Sequence, residues 1–213
     1  MRLLKTVILS GLFIAIGACG AKNASDAAQG VENLKKANGN SAADSASYAS
    51  ACVSSTLPDV GPIKFPGTKT IYELSALTFR KIQAYYSDGN CTNEALIITE
   101  SGKVVFNGTA QPNQPAQEDF NFEKTTVKLQ TDTVVKAFNL LQICGFTKNE
   151  WAEGTDIDVG SQSNQATCPG KPSPRTAQEL VLIQNLNLYL GANADQPMRP
   201  DHVDQSRVYT KQN

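Results

Sequence analysis

The stretch Gln83–Thr109, QAYYSDGNCTNEALIITESGKVVFNGT, decides the fold. It closes a segment, Thr68–Tyr86, rich in β-branched and aromatic residues, whose second half has the length of a long strand. Ser87-Asp88-Gly89-Asn90 interrupts it, and Asp-Gly predicts a tight connection with positive φ at the glycine. Ala95–Thr99 reads as a short apolar strand, Glu100–Lys103 (ESGK) as a second turn and Val104–Thr109 as a third strand. Three strands joined in this way predict an antiparallel meander.

Beyond the meander, the two prolines of QPNQPAQED predict a loop. In Phe120–Gln130, FNFEKTTVKLQ, Phe120 and Phe122 share one parity and Val127 and Leu129 the other. A period of two cannot put both pairs on one face. Either a bulge near Lys124–Thr125 re-phases the strand, or its halves serve different faces. Thr131 or Asp132 can cap a short helix carrying Val134, Val135, Phe138 and Leu141, with Gly145 as its stop. Residues 147–178 read as irregular. Glu179–Gly191 is expected to be one strand with Leu180, Leu182, Leu186, Leu188 and Leu190 on one face. The polar tail ends in one short strand, SRVYT. Together these predict a mainly β domain: a curved antiparallel sheet or partly open, lipocalin-like barrel with a short helix.

The N-terminus gives the expected address. Arg2 and Lys5 precede the apolar run Val7–Ala18, which is too short for a bilayer span of roughly 20 residues and reads as a signal peptide over residues 1–18. Ile16-Gly17-Ala18-Cys19 resembles the bacterial lipobox, which implies a diacylglycerol and an acylated amine on Cys19 and so a stable membrane anchor. Residues 19–51, poor in large apolar side chains, read as a flexible tether, and 52–213 as one domain. Gly20 after the cysteine points to the outer membrane by analogy with enterobacterial sorting. Without residues 1–18, Lys+Arg falls from 19 to 17 against 20 Asp+Glu, giving a net charge near −3. A chain of that charge lacks the basic stripe of a nucleic-acid binder. The four other cysteines are an even set in an exported chain, which reads as a disulfide framework. Three connectivities can be drawn, and neighbour pairing, Cys52–Cys91 with Cys144–Cys168, is the expectation.

The chain carries no G-x-S-x-G, H-E-x-x-H, P-loop or G-x-G-x-x-G. Its one histidine, His202, has no C-x-x-C pair beside it, so neither a metal site nor a thiol nucleophile is expected. Asp156–Asn164 departs from a calcium loop at Gly160 and Thr167. Glu94, Glu100, Glu118 and Glu123 read as scattered, so no catalytic residue and no cofactor is assigned. Aromatic and leucine side chains on strands suggest instead an apolar concavity able to take an acyl chain. Its candidate lining is Phe79, Tyr85, Phe106, Phe120, Phe122, Leu182, Leu186, Leu188 and Leu190.

The order of features carries a resemblance. Cys52 opens the domain, YYSDGNC (Tyr85–Cys91) leads to a strand and VVFNG, LLQICGF is followed by Trp151 and Gly154, and LYLG precedes Arg199-Pro200. This resembles the domain of the adenomatosis polyposis coli down-regulated family, membrane-anchored Wnt inhibitors in animals with single-domain relatives in bacteria. The resemblance runs from about Cys52 to Arg207 and implies a β-barrel-like domain holding lipid. The animal proteins carry tandem domains and this chain one, and a bacterium offers no Wnt, so only the lipid-binding idea transfers. Lipocalins, the rival barrel, typically place G-x-W near the first strand, whereas Trp151 comes late. The expected function is that of an envelope-anchored, non-enzymatic lipoprotein with an acyl-chain or other apolar ligand and an unassigned protein partner. The alternative is a structural or protein-interaction lipoprotein without a small-molecule ligand.

Overall fold

The structure is a computed structural model, which describes residues 45–75, 77–107, 114–147, 149–162, 167–192 and 198–212. The expected signal peptide, Cys19 and the tether as far as residue 44 lie outside these residues, as does the side chain of Phe106.

The strands are β1 (Ala46–Ala49), β2 (Val53–Ser54), β3 (Gly67–Leu74), β4 (Thr78–Tyr86), β5 (Glu94–Phe106), β6 (Ala116–Leu129), β7 (Asp156–Asp158), β8 (Arg175–Gln184), β9 (Asn187–Leu190) and β10 (Tyr209–Lys211). Helix α1 spans Asp132–Leu140. Strands β3, β4, β5, β6, β8, β9 and β10 pair antiparallel in sequence order. Strand β1 then fits between β10 and β3, with Tyr48 opposite both Lys211 and Tyr72. That closes an eight-stranded up-and-down barrel; β2 on β3 and β7 on β6 are extra. Among the described residues, closure leaves no long free edge. The closing strand lies in the stretch expected to be tether, so the folded part begins before Cys52. Tyr48 and Ala46 are the cause: both are buried inside the barrel.

Several local expectations change. ESGK is no turn, because β5 runs straight through it. The pairing slips there: Ser101 faces Lys124 while Gly102 faces Phe122, leaving Glu123 as the extra residue. This bulge is the re-phasing expected one residue further on, and it puts Phe120, Phe122, Val127 and Leu129 all inside. A Cβ on Gly102 would lie 1.8 Å from the Asn121 carbonyl oxygen, so only glycine permits the approach.

Glu179–Gly191 is a hairpin rather than one strand. Gln184 pairs with Asn187, and Asn185 and Leu186 form the two-residue turn with φ of 51° and 65°. The β4–β5 connection is not built on Gly89, which does not have positive φ; Cys91 does, at 54°. Asp88 shapes it instead, its carboxylate accepting from the N–H groups of Asn90, Thr92 and Asn93 and from the Thr92 hydroxyl. Residues 147–178, expected to be irregular, contribute β7 and the start of β8.

Both disulfides are formed, Cys52–Cys91 and Cys144–Cys168. They fit an oxidising, extracytoplasmic compartment. Thr131 caps α1 by accepting from the Val134 N–H at 3.4 Å. Asn139 and Trp151 then clasp each other, the amide donating to the Trp151 carbonyl and accepting from its N–H. The indole donates to the Ile143 carbonyl and lies edge-on to Phe138 and Phe146.

Candidate ligand chamber in the barrel

The register assigns every strand residue to the interior or the exterior. Interior positions are Tyr72 and Leu74 on β3, Phe79, Lys81 and Tyr85 on β4, and Leu96, Ile98, Glu100 and Val104 on β5. They continue as Glu118, Phe120, Phe122, Thr125, Val127 and Leu129 on β6, and Arg175, Ala177, Glu179 and Val181 on β8. Leu188, Leu190, Tyr209, Tyr48 and Ala46 complete the ring.

These side chains form two apolar clusters rather than one. The upper cluster joins Tyr48, Tyr72, Phe79, Phe120, Phe122, Leu188, Leu190 and Tyr209 with smaller neighbours. Phe79 stacks on Phe120 at 4.8 Å between centroids and meets Phe122 edge-on at 4.8 Å, and Tyr72 meets Tyr209 edge-on at 5.0 Å. The lower cluster joins Tyr85, Leu96, Ile98, Val127 and Leu129 to Val134, Phe138, Ile143 and Trp151, so α1 and the Trp151 block close that end. Gly170 comes so near Ile98 and Thr125 that an added Cβ would touch both, and the Lys171 carbonyl accepts from the Thr125 hydroxyl. The segment after Cys168 therefore also fills the lower interior.

A charged layer separates the clusters. Glu100 is 2 % exposed and receives Lys81 at 3.6 Å and Arg175 at 2.9 Å. The Arg175 guanidinium lies 3.5 Å from the Phe122 ring centroid, in a stacked cation–π contact. Its approach to Glu100 is an ion pair without hydrogen-bond alignment. Near the other end of the upper cluster, Glu118 and Glu179 face each other across β6 and β8 and are 3 % and 1 % exposed. Arg199 donates to both their backbone carbonyls and to the Asp119 carboxylate on the outer face. Burial pushes the Glu118 carboxyl up to about 8; the Arg199 charge opposes this and Glu179 adds to it. Burial also pushes the Tyr48 phenol up to about 12. Tyr85 is raised by burial, with Lys81 opposing and Glu100 reinforcing.

Of the expected lining, Phe79, Phe120, Phe122, Leu188 and Leu190 come together in the upper cluster. Tyr85 lies inside the barrel but across the charged layer. Leu182 is buried on the outward face, since its register partner Tyr189 has the parity opposite to Leu188, and Leu186 stands exposed in the hairpin turn. Tyr48, Tyr72, Tyr209 and the five interior charges are not in the expected lining. Glu100 and Glu118 had a legible signal: each continues the parity of neighbouring interior residues, Leu96 and Ile98 or Phe120 and Phe122.

A concavity lies outside the barrel, a cleft of about 470 Å³ between Leu57, Val60, Leu141, Ile143, Cys168 and Pro169. No group of three or more His, Cys, Asp or Glu side chains suited to a metal ion occurs among the described residues. No protein-family model matches the chain, and no curated protein is significantly similar to it.

Proposed function

We propose that this chain is an envelope-anchored, non-enzymatic lipoprotein whose barrel binds an acyl chain or another apolar ligand. One observation carries the reading: a closed eight-stranded barrel whose upper interior is walled by Phe79, Phe120, Phe122, Leu188 and Leu190. Barrels of this strand number have an interior that side chains fill or that holds one small ligand. The charged layer at Glu100 sets the depth, so the ligand occupies the upper cluster alone and Tyr85 does not line it. The lipobox-like Ile16–Cys19 supports the anchor and, with Gly20, an outer-membrane address. The resemblance to the adenomatosis polyposis coli down-regulated family supports the lipid-binding part.

A second reading has its own support. Phe79, Phe120 and Phe122 are each at most 2 % exposed and pack on one another, as they would in a barrel that only fills itself. Leu140 and Leu141 stand exposed, Leu141 on the rim of the outer cleft, as a protein-interaction surface would have them. Displacement of a fluorescent fatty-acid ester from the delipidated protein separates the two. Saturable, one-to-one displacement by unlabelled chains supports the carrier, and no uptake at any chain length supports the filled barrel.

A further inference from the structure

We propose that Cys144–Cys168 is a reducible latch on the strap Cys168–Pro174, and that a dithiol reductant releases this strap from the lower interior while the barrel stays folded. The inference is independent of what the upper cluster holds.

The strap lies where the sheet changes partners. Strand β8 begins beside β6 with Arg175 opposite Phe122, and from Thr126 on the neighbour of β6 is β7. The chain that leads into β8 runs inside instead. Gly170 fits against Ile98 and Thr125, both at most 2 % exposed. Pro169, Pro172 and Pro174 have no N–H to give a ladder, so this segment cannot extend β8 downward. Hydrogen bonds tie it down along its length. The Thr125 hydroxyl donates to the Lys171 carbonyl at 3.0 Å, the Ser173 N–H to the Gly160 carbonyl at 3.2 Å and the Arg175 guanidinium to the Pro172 carbonyl at 3.5 Å. At the Cys168 end the tie is covalent, to Cys144.

The two halves of this bridge are held unequally. Cys144 is 1 % exposed, and its neighbour Ile143 accepts from the Trp151 indole, a contact that outlasts the sulfur–sulfur bond. Gln142 and Cys144 sit at φ of 50° and 62°. Residues with side chains keep that left-handed conformation where their surroundings impose it. Cys168 is partly exposed and, with Pro169, lines the outer cleft beside Leu57 and Leu141. A thiol entering the cleft meets the Cys168 sulfur. The Cys52–Cys91 bridge has a different setting. It packs under the Gly67 backbone, where an added Cβ would come within 2.9 Å of the Cys91 sulfur, and Cys91 is 6 % exposed. Thiol–disulfide exchange depends on access to the sulfur attacked, so the bridge at the cleft opens first.

One thiolate of the dithiol attacks the Cys168 sulfur, and Cys144 leaves with the bonding electron pair and takes up a proton. The second thiol closes on the first, releasing Cys168 as a thiol and the reductant as a cyclic disulfide. Two electrons pass to the protein, with two protons through solvent. The strap then depends on its non-covalent contacts, and the left-handed turn at 142–145 is free to relax. Release uncovers Ile98 and Thr125 beside the cleft.

The test is stepwise reduction of the purified protein with dithiothreitol, without denaturant, then acid quench, alkylation of free thiols in denaturant and peptide mapping. Cys144 and Cys168 are expected to become free at dithiothreitol concentrations at least about tenfold below those needed for Cys52 and Cys91. At that stage hydrogen exchange is expected to quicken at least about tenfold in peptides covering 142–146 and 168–173, and to stay unchanged in β3 to β6. Reduction of Cys52–Cys91 first or together with the other bridge would overturn the inference. So would faster exchange throughout β3 to β6, which would make the bridge a staple of the whole fold, or reduction that leaves exchange in 168–173 as it was.

Discussion

At the scale of the residue, the informative side chains are charges inside a barrel. Glu100 is tolerated because two cations meet it, and removing one member of such a set typically costs about 3–5 kcal/mol by leaving a charge uncompensated. At Glu118 the Arg199 charge does not offset burial, and this makes its stability contribution depend on pH. Its folded pKa, about 8, stands above the ordinary carboxyl value of 4.5. Between those values the unfolded chain has released the proton and the folded chain has kept it. Folding is therefore progressively disfavoured as pH rises through that window, by on the order of a few kcal/mol at its upper end. Glu118→Gln is predicted to match the wild type near pH 4 and to exceed it by more than about 1 kcal/mol at pH 8 in urea unfolding. A variant less stable than wild type at pH 8 would mean that Glu118 is a well-paired carboxylate.

At the scale of the element, the fold depends on where strands slip and turn. Gly102 lets β6 re-phase, so that one strand serves both interior clusters. Gly102→Ala places a methyl against the Asn121 backbone, which cannot swing aside as a side chain would. A loss of about 2–4 kcal/mol in denaturant unfolding is predicted, and a loss under about 0.5 kcal/mol would show that the bulge can relax.

The elements also show what a sequence can disclose. Strand character, the capped helix and the need for a bulge were readable, because alternation and caps are local. ESGK misleads because Ser-Gly composition suits a bulge as well as a turn. The Glu179–Gly191 leucines mislead because their even spacing continues across a turn that inverts its meaning. With Gln184 opposite Asn187, odd positions of β8 share a face with even positions of β9. That inversion hid Glu179 and moved Leu182 to the outer face. The facing carboxylates and the Lys81–Glu100–Arg175 layer come from pairings 19 to 75 residues apart along the chain, which no local pattern encodes.

At the scale of the whole molecule, a barrel with short strands at β9, β10 and β1 is held by more than its ladders. Cys52–Cys91 ties the chain just after β1 to the β4–β5 loop, and Cys144–Cys168 ties the turn after α1 to the segment that fills the lower interior. Loops of this size contribute about 3–4 kcal/mol per bridge in the chain-entropy model. With the lower end closed by α1, Trp151 and that segment, the upper cluster is where a ligand would sit. Native mass spectrometry of the protein, purified without detergent from the cell that makes it, tests this most directly. The account predicts one tightly held apolar molecule per chain, lost when Phe120 is replaced by a charged residue in a variant that still folds. A chain that emerges at its bare covalent mass, and gains nothing when offered acyl chains, would contradict it.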